Sequence, residues 1–161
     1  MTRFRALLLV GALLVLGGVN YSIFSKEDIK KNGELVYVDL APMDPRSIMQ
    51  GDYMALRFRL AQEIERSLGG GERPMDGEKR LADVALDGRR VASLAKPGAP
   101  AQVRVQYRMR KGAVWLGTNA FFFEEGTDQR YALARYGEFR VDRESGEAVL
   151  VGLRDAALKP L

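Results

Sequence analysis

The chain has 161 residues, of which 47% are hydrophobic, and a formal net charge of +4; this length fits one domain plus a short appendage. Arg3 and Arg5 carry half of that charge, and the remaining balance is too even for a nucleic-acid-binding face, which needs clustered basic residues. Histidine and cysteine do not occur, which excludes a Ser-His-Asp triad, a cysteine nucleophile, a disulfide and a zinc site with the usual ligands.

An apolar run begins close to the N-terminus. Residues Ala6 to Phe24 are 19 positions without a charged side chain, and a membrane-spanning helix needs about 20. Arg3 and Arg5 precede the run. Because basic residues are enriched on the cytoplasmic side of a span, the N-terminus is expected in the cytoplasm.

A cleaved signal peptide with its apolar core at 6–19 is the alternative interpretation. No convincing small-x-small cleavage site occurs between Gly17 and Lys26. The sequence therefore favours a transmembrane signal-anchor over residues 1–25 in the cytoplasmic (inner) membrane and a periplasmic domain over residues 26–161.

The body begins with a charged segment, Lys26 to Gly33, which is predicted to be a juxtamembrane linker. An alternating pattern then predicts a strand from Glu34 to Ala41. A polar corner follows, and a second alternating pattern predicts a strand from Tyr53 to Leu60. The next segment, AQEIERSL, has an alternative interpretation as a helix, because its apolar residues continue a four-residue spacing.

Turn residues divide the rest into short elements. Asp87-Gly88 predicts a hairpin between 81–86 and 90–94, and 101–110 alternates over its full length. The remaining predicted elements are a strand at 113–116, a phenylalanine run at 121–123, a short helix from Thr127 to Arg135 and a hairpin formed by 136–141 and 147–153. The pattern predicts a mostly β domain, an antiparallel sandwich or barrel-like fold with one or two short helices, behind the transmembrane helix.

The polar corner holds the first candidate site. Asp44 is placed to cap a short helical turn that Pro45 begins and Gly51 ends. Asp44, Arg46 and Asp52 could bind a ligand or a partner segment. Alternatively, Asp44 caps the turn, Asp52 accepts hydrogen bonds from its backbone, and Arg46 pairs with one of the two carboxylates. Asp52 shares the parity of the core-facing residues, so we expect it to be paired.

Two further groups of charged residues are candidates for a functional role. Glu124-Glu125 could be paired carboxylates, but adjacent strand residues point to opposite faces, which disfavours a shared site. A row of arginines is most simply a solvated sheet face and could alternatively contact anionic lipid headgroups or an acidic partner; its members are Arg57, Arg59, Arg104, Arg108 and Arg110.

One stretch carries a family resemblance. Gly51, Asp52, Tyr53 and Leu56, with Phe58 in place of the final tyrosine, resemble the signature of the GDYXXLXY family of small bacterial membrane-anchored proteins, whose function is uncharacterised. Further segments are similar to that family: Asp44-Pro45-Arg46, Phe123-Glu124-Glu125-Gly126 and the hairpin from Gly146 to Leu153. The resemblance implies a membrane-anchored periplasmic domain with a multi-pass integral membrane partner.

These features favour a non-enzymatic interaction or accessory module, and no cofactor or metal is implied. The alternative is a small-ligand-binding protein or hydrolase that uses the corner formed by Asp44, Arg46 and Asp52. The sequence specifies neither an activity, nor the identity of a ligand or partner, nor an oligomeric state.

Overall fold

The computed structural model describes residues 2–41, 53–69 and 73–161. In these ranges the helices are α1 (Thr2–Asn32), α2 (Arg59–Leu68) and α3 (Asp128–Tyr131). The strands are β1 (Glu34–Asp39), β2 (Tyr53–Ala55), β3 (Lys79–Leu86), β4 (Ala92–Leu94), β5 (Val103–Arg110), β6 (Ala113–Trp115), β7 (Ala120–Phe122), β8 (Tyr136–Val141) and β9 (Ala148–Arg154).

Helix α1 is long and apolar enough to cross a membrane. An 18-residue window within Leu7–Asn32 has a mean hydropathy of 2.1, and none of this window is buried against the rest of the chain. Leu13 and Leu14 are 67% and 72% exposed. A helix with apolar side chains on all sides is suited to lipid, so α1 fits a membrane anchor.

The charged segment Lys26 to Gly33 is not the linker that its composition suggested, because α1 continues through it to Asn32. Lys30 pairs with Glu27 one turn earlier, at 3.7 Å, and basic residues in the last turn interact favourably with the helix dipole. Ile29 is only 6% exposed. The end of the helix is therefore packed against the domain.

The strands form three antiparallel sheets. The first has the order β1-β8-β9, the second β4-β3-β5-β6, and the third pairs β2 with β7. The predicted hairpins across Asp87-Gly88 and across Asp142 to Gly146 are confirmed as β3–β4 and β8–β9. The predicted alternation of the longest strand is also confirmed, since all four inward residues of β5 are buried, namely Val103, Val105, Tyr107 and Met109.

The two larger sheets curl around one core because the second sheet joins the first at two places. Next to β4, Val91 forms a parallel bridge with Tyr37 of β1. Beyond the end of the short strand β6, the Gln106 N–H of β5 donates to the Gly146 carbonyl at 2.7 Å. The enclosed side chains include Val36, Val105, Leu116, Phe139 and Val141. The predicted mostly β, antiparallel, barrel-like fold is confirmed.

Helix α2 replaces the end of the predicted second strand. The strand ends at Ala55 and the helix begins at Arg59, so the helical alternative was correct and its start lies two residues earlier than expected. Leu56 and Leu60 satisfy both a two-residue and a four-residue period, which is why periodicity alone could not separate the two structures. Both side chains are buried in the structure.

Helix α3 is shorter than the predicted helix from Thr127 to Arg135. The Thr127 hydroxyl donates to the Glu124 carbonyl and so does not cap the helix. Ala134 is buried, and the Arg135 N–H donates to the Arg154 carbonyl at 2.8 Å. These contacts draw the segment after Tyr131 into the first sheet.

Candidate functional site

The corner residues of the candidate site lie outside the described part of the chain; they are Asp44, Pro45, Arg46, Gly51 and Asp52. Tyr53 is the first described residue after them. It lies opposite Phe122 in the β2–β7 pair, and the two ring centroids are 5.8 Å apart. The pairing therefore brings the GDYXXLXY-like stretch next to the phenylalanine run, about seventy positions further along the chain.

Two other members of the stretch belong to the core. Leu56 is 4% exposed, and its N–H donates to the Asn119 carbonyl at 2.7 Å. Phe58 is 3% exposed and packs edge-on against Phe139, with 5.1 Å between centroids. Edge-to-face ring pairs of this kind stabilise a core. The spacing of the stretch therefore reflects core packing at these two positions, although both residues also line a second cavity of about 180 Å³ between α2 and β6.

A cleft opens between the end of β7 and helix α3. Its volume is about 440 Å³, and we refer to it as the aromatic cleft; its lining residues are Phe122, Phe123, Glu124, Thr127, Arg130 and Tyr131. The Tyr131 ring stacks on Phe123 at 5.2 Å and tilts against Phe121 at 5.1 Å. These contacts fix the wall of the cleft.

Phe122 is the most exposed ring of the phenylalanine run. Its side chain is 75% exposed, whereas Phe121 and Phe123 are partly buried against the core. An exposed aromatic side chain beside a cleft is typical of a surface that binds another molecule.

The two glutamates next to the run differ in position. Glu124 lines the aromatic cleft, whereas Glu125 does not, and both side chains are exposed. Neither forms an ion pair with a basic residue in the described ranges. Across the cleft, the Arg130 guanidinium lies over the Tyr131 ring at 5.8 Å. The cleft thus presents rings with one negative and one positive group at its rim.

The arginine row does not form one surface. Arg104, Arg108 and Arg110 alternate with the buried residues of β5 and so project from the outer face of the second sheet. Arg110 lies over the Trp115 ring at 4.8 Å. Arg59 instead begins α2 and pairs with Asp39 of β1 at 3.8 Å.

Sequence reasoning missed Arg130 and Tyr131 as members of a site. The only signal was their short distance from the phenylalanine run, and nothing in the pattern indicated that the chain turns back after Glu124. The described residues also contain no group of three or more acidic side chains that could hold a metal ion.

Comparison with known proteins gives one match. A family model described as GDYXXLXY protein matches residues 15–153. No curated protein and no solved structure matches the chain.

Proposed function

This chain belongs to the GDYXXLXY family, and from that premise we propose that it is a membrane-anchored interaction module. Helix α1 holds the β domain on the periplasmic side of the cytoplasmic membrane. There the domain binds an extracytoplasmic segment of a multi-pass integral membrane protein.

The aromatic cleft is the observation that carries the proposal. Phe122 is a large apolar side chain exposed to water beside a cleft whose wall is fixed by stacked rings. Aromatic side chains are enriched among the residues that dominate protein interfaces. Glu124 and Arg130 at the rim would select a partner segment with an apolar side chain flanked by charged groups.

The flanks of the span support the orientation. The N-terminal flank carries Arg3 and Arg5 and no acidic residue, while the other flank mixes three lysines with Glu27 and Asp28. Basic residues are enriched on the cytoplasmic flank of a span, and Arg3 and Arg5 are the basic residues that precede this one. Because three lysines lie on the opposite flank, the orientation requires its own test, which is given in the Discussion.

Co-purification tests the partner. The tagged full-length protein is recovered from membranes in a mild detergent, and we expect a stoichiometric integral membrane protein with it. Phe122→Ala should reduce recovery of that protein strongly, since truncating a dominant interface residue costs at least about 2 kcal/mol, or roughly thirtyfold in affinity. Recovery of the protein alone would contradict the proposal.

Met75→Ala is the matched control. Met75 is 77% exposed but does not line the aromatic cleft, so its truncation should leave partner recovery unchanged. Both variants should melt like the parent protein, because substitutions of exposed side chains usually change stability by less than about 0.5 kcal/mol. Equal loss in both variants would indicate nonspecific hydrophobic association.

A further inference from the structure

The end of helix α1 fixes which part of the domain is closest to the membrane. The apolar run ends at Phe24 and the first charged residue is Lys26. At about 1.5 Å per residue, Lys26 lies only about 3 Å further along the helix axis. The headgroup layer outside each face of the hydrocarbon is roughly 5–8 Å thick. Lys26 is therefore at headgroup level when the apolar run spans a membrane.

The turn between β8 and β9 is tied to this part of α1. Lys26 forms an ion pair with Glu147, the last residue before β9. One turn further on, Ile29 is buried, and Gly33 is so close to β8 that a Cβ there would lie 3.1 Å from Arg140. Ile29 and Gly33 lie about 7.5 Å and about 13.5 Å beyond Phe24 along the axis, so the turn Asp142–Gly146 is held beside the part of the helix that leaves the headgroup layer.

The turn is held by hydrogen bonds between its own residues. The Asp142 carboxylate accepts hydrogen bonds from the Ser145 N–H at 2.7 Å and from its hydroxyl at 2.6 Å. These bonds lower the pKa of Asp142 below its ordinary value. Gly146 has a φ of 72°, which favours glycine, and a Cβ there would lie 3.0 Å from the Arg104 carbonyl.

Arg143 projects from this turn. Its side chain is 79% exposed, and its Nε donates to the Glu34 carboxylate at 2.9 Å. Glu34 is held on its other side by Arg90 at 2.7 Å. The Nε contact positions the guanidinium and leaves its terminal N–H groups directed to solvent, where they can donate to a phosphate, which arginine binds with paired N–H groups.

We propose that Arg143, presented by the turn Asp142–Gly146, binds the phosphate group of an anionic phospholipid in the bilayer that α1 spans. The exposed side chain of Arg104, next to the same turn, adds a second basic group. Glu144 is exposed in the same turn, and its negative charge opposes this attraction. The inference rests on the membrane anchoring in the proposed function and does not depend on the partner.

The position of the turn can be measured because the chain lacks cysteine. Glu144→Cys in the full-length protein is labelled with a fluorophore in nanodiscs whose lipid headgroups carry a nitroxide quencher. The reference is Ala156→Cys, at an exposed position just after β9, at the end of that strand opposite to the turn Asp142–Gly146. We expect stronger quenching at 144 than at 156. Equal quenching would overturn the proposal.

The phosphate contact is tested in the same labelled protein. Replacing part of the zwitterionic lipid by phosphatidylglycerol should increase quenching at 144, and added salt should reverse the increase. Arg143→Gln should abolish the increase, whereas Arg66→Gln, at an exposed position on α2, should retain it. An increase that survives Arg143→Gln would overturn the assignment.

The two proposals fail differently. If the protein incorporates into nanodiscs and Phe122→Ala still reduces partner recovery, an absent lipid effect overturns only the role of Arg143. A protein that cannot be incorporated overturns the membrane anchor, and with it both proposals.

Discussion

Gly137 marks the place where β8 passes closest to the aromatic core. A Cβ at this position would lie 2.8 Å from the Phe58 ring and 3.0 Å from the Phe139 ring. The two rings pack edge-to-face against each other, so they cannot both move aside. The absence of a side chain at 137 is therefore what allows Phe58 of the family stretch to reach the core.

We expect Gly137→Ala to lower the free energy of unfolding by about 1–3 kcal/mol, as overpacking of a filled core does. Gly152→Ala is the control, because the nearest atom to its Cβ is 3.9 Å away; it should be neutral or slightly stabilising. Chemical denaturation of the full-length protein in detergent measures both. An unchanged midpoint for Gly137→Ala would mean that the backbone of β8 can shift at no cost.

Glu34 couples the start of β1 to two other elements. Partial burial by itself would raise the pKa of Glu34, but the hydrogen bonds from Arg90 and Arg143 outweigh it, and the pKa lies below the ordinary value of 4.5. Because the unfolded chain takes up the proton at a higher pH than the folded chain, the stabilisation is present above about pH 4.5 and is lost as the pH falls through the folded pKa.

The melting temperature should therefore decrease as the pH is lowered below 4.5. Glu34→Gln should lower the free energy of unfolding at pH 7 and make the melting temperature less dependent on acid. Glu125→Gln, at an exposed position without an ion pair in the described ranges, should leave both unchanged. Thermal melts between pH 3 and pH 7 provide the comparison. An acid dependence that is identical in Glu34→Gln and the parent would rule out this coupling.

Two carboxylates of helix α2 accept backbone hydrogen bonds from the two outer strands of the four-stranded sheet. Glu63 accepts the Leu94 N–H of β4 at 2.8 Å, and Glu65 accepts the Val114 N–H of β6 at 2.7 Å. Both strands are at the ends of the sheet order β4-β3-β5-β6. Edge strands with unpaired backbone donors are prone to pair with other chains. The helix thus satisfies these donors and closes the edges at the same time.

Removing one of these carboxylates should leave the backbone N–H of one outer strand without its acceptor. We expect Glu65→Ala to cost about 1.5–3 kcal/mol, the range for hydrogen bonds to charged groups, and Glu65→Gln to cost less because an acceptor oxygen remains. Hydrogen exchange should accelerate at Val114 and remain unchanged at Leu94, which Glu63 still holds. Arg66→Ala on the exposed side of the helix should have no effect. Equal acceleration at both amides would instead indicate that the whole helix detaches.

At the scale of the whole molecule, anchor and domain form one continuous unit. The anchor helix runs without interruption to Asn32, and Ile29 and the Lys26–Glu147 pair dock it on the β8–β9 hairpin. A flexible linker would let the domain rotate freely, whereas this junction gives it a defined orientation relative to the helix. A partner in the same membrane would then meet the aromatic cleft in a restricted set of approaches.

Reporter fusions test the orientation of the span. A reporter that is active only outside the cytoplasm should be active after Leu161 and inactive after Arg5, because Arg3 and Arg5 are expected to keep the N-terminal flank in the cytoplasm. A cytoplasmic reporter should show the reverse pattern. If the fusion after Leu161 were active only in the cytoplasm, the three lysines at the C-terminal flank would have set the topology, and the proposed periplasmic location would be wrong.

The sequence by itself determined the elements whose signals are local. The apolar run gave a helix fit for a membrane, the Asp87-Gly88 turn gave the β3–β4 hairpin, and strict alternation gave β5 with its buried face. Each signal depends on residues a few positions apart, where backbone geometry and burial act together. For the same reason the mostly β class could be predicted before any strand partner was known.

The tertiary structure decided what depends on distant partners. The charged end of α1 could be identified as helix only through its docking on β8 and β9, and the Tyr53–Phe122 contact exists only because β2 pairs with β7. Periodicity reports which face of an element is buried and does not report what covers it. The aromatic cleft and the position of Arg143 beside α1 both arise from long-range pairing, so neither could be obtained from the order of the residues alone.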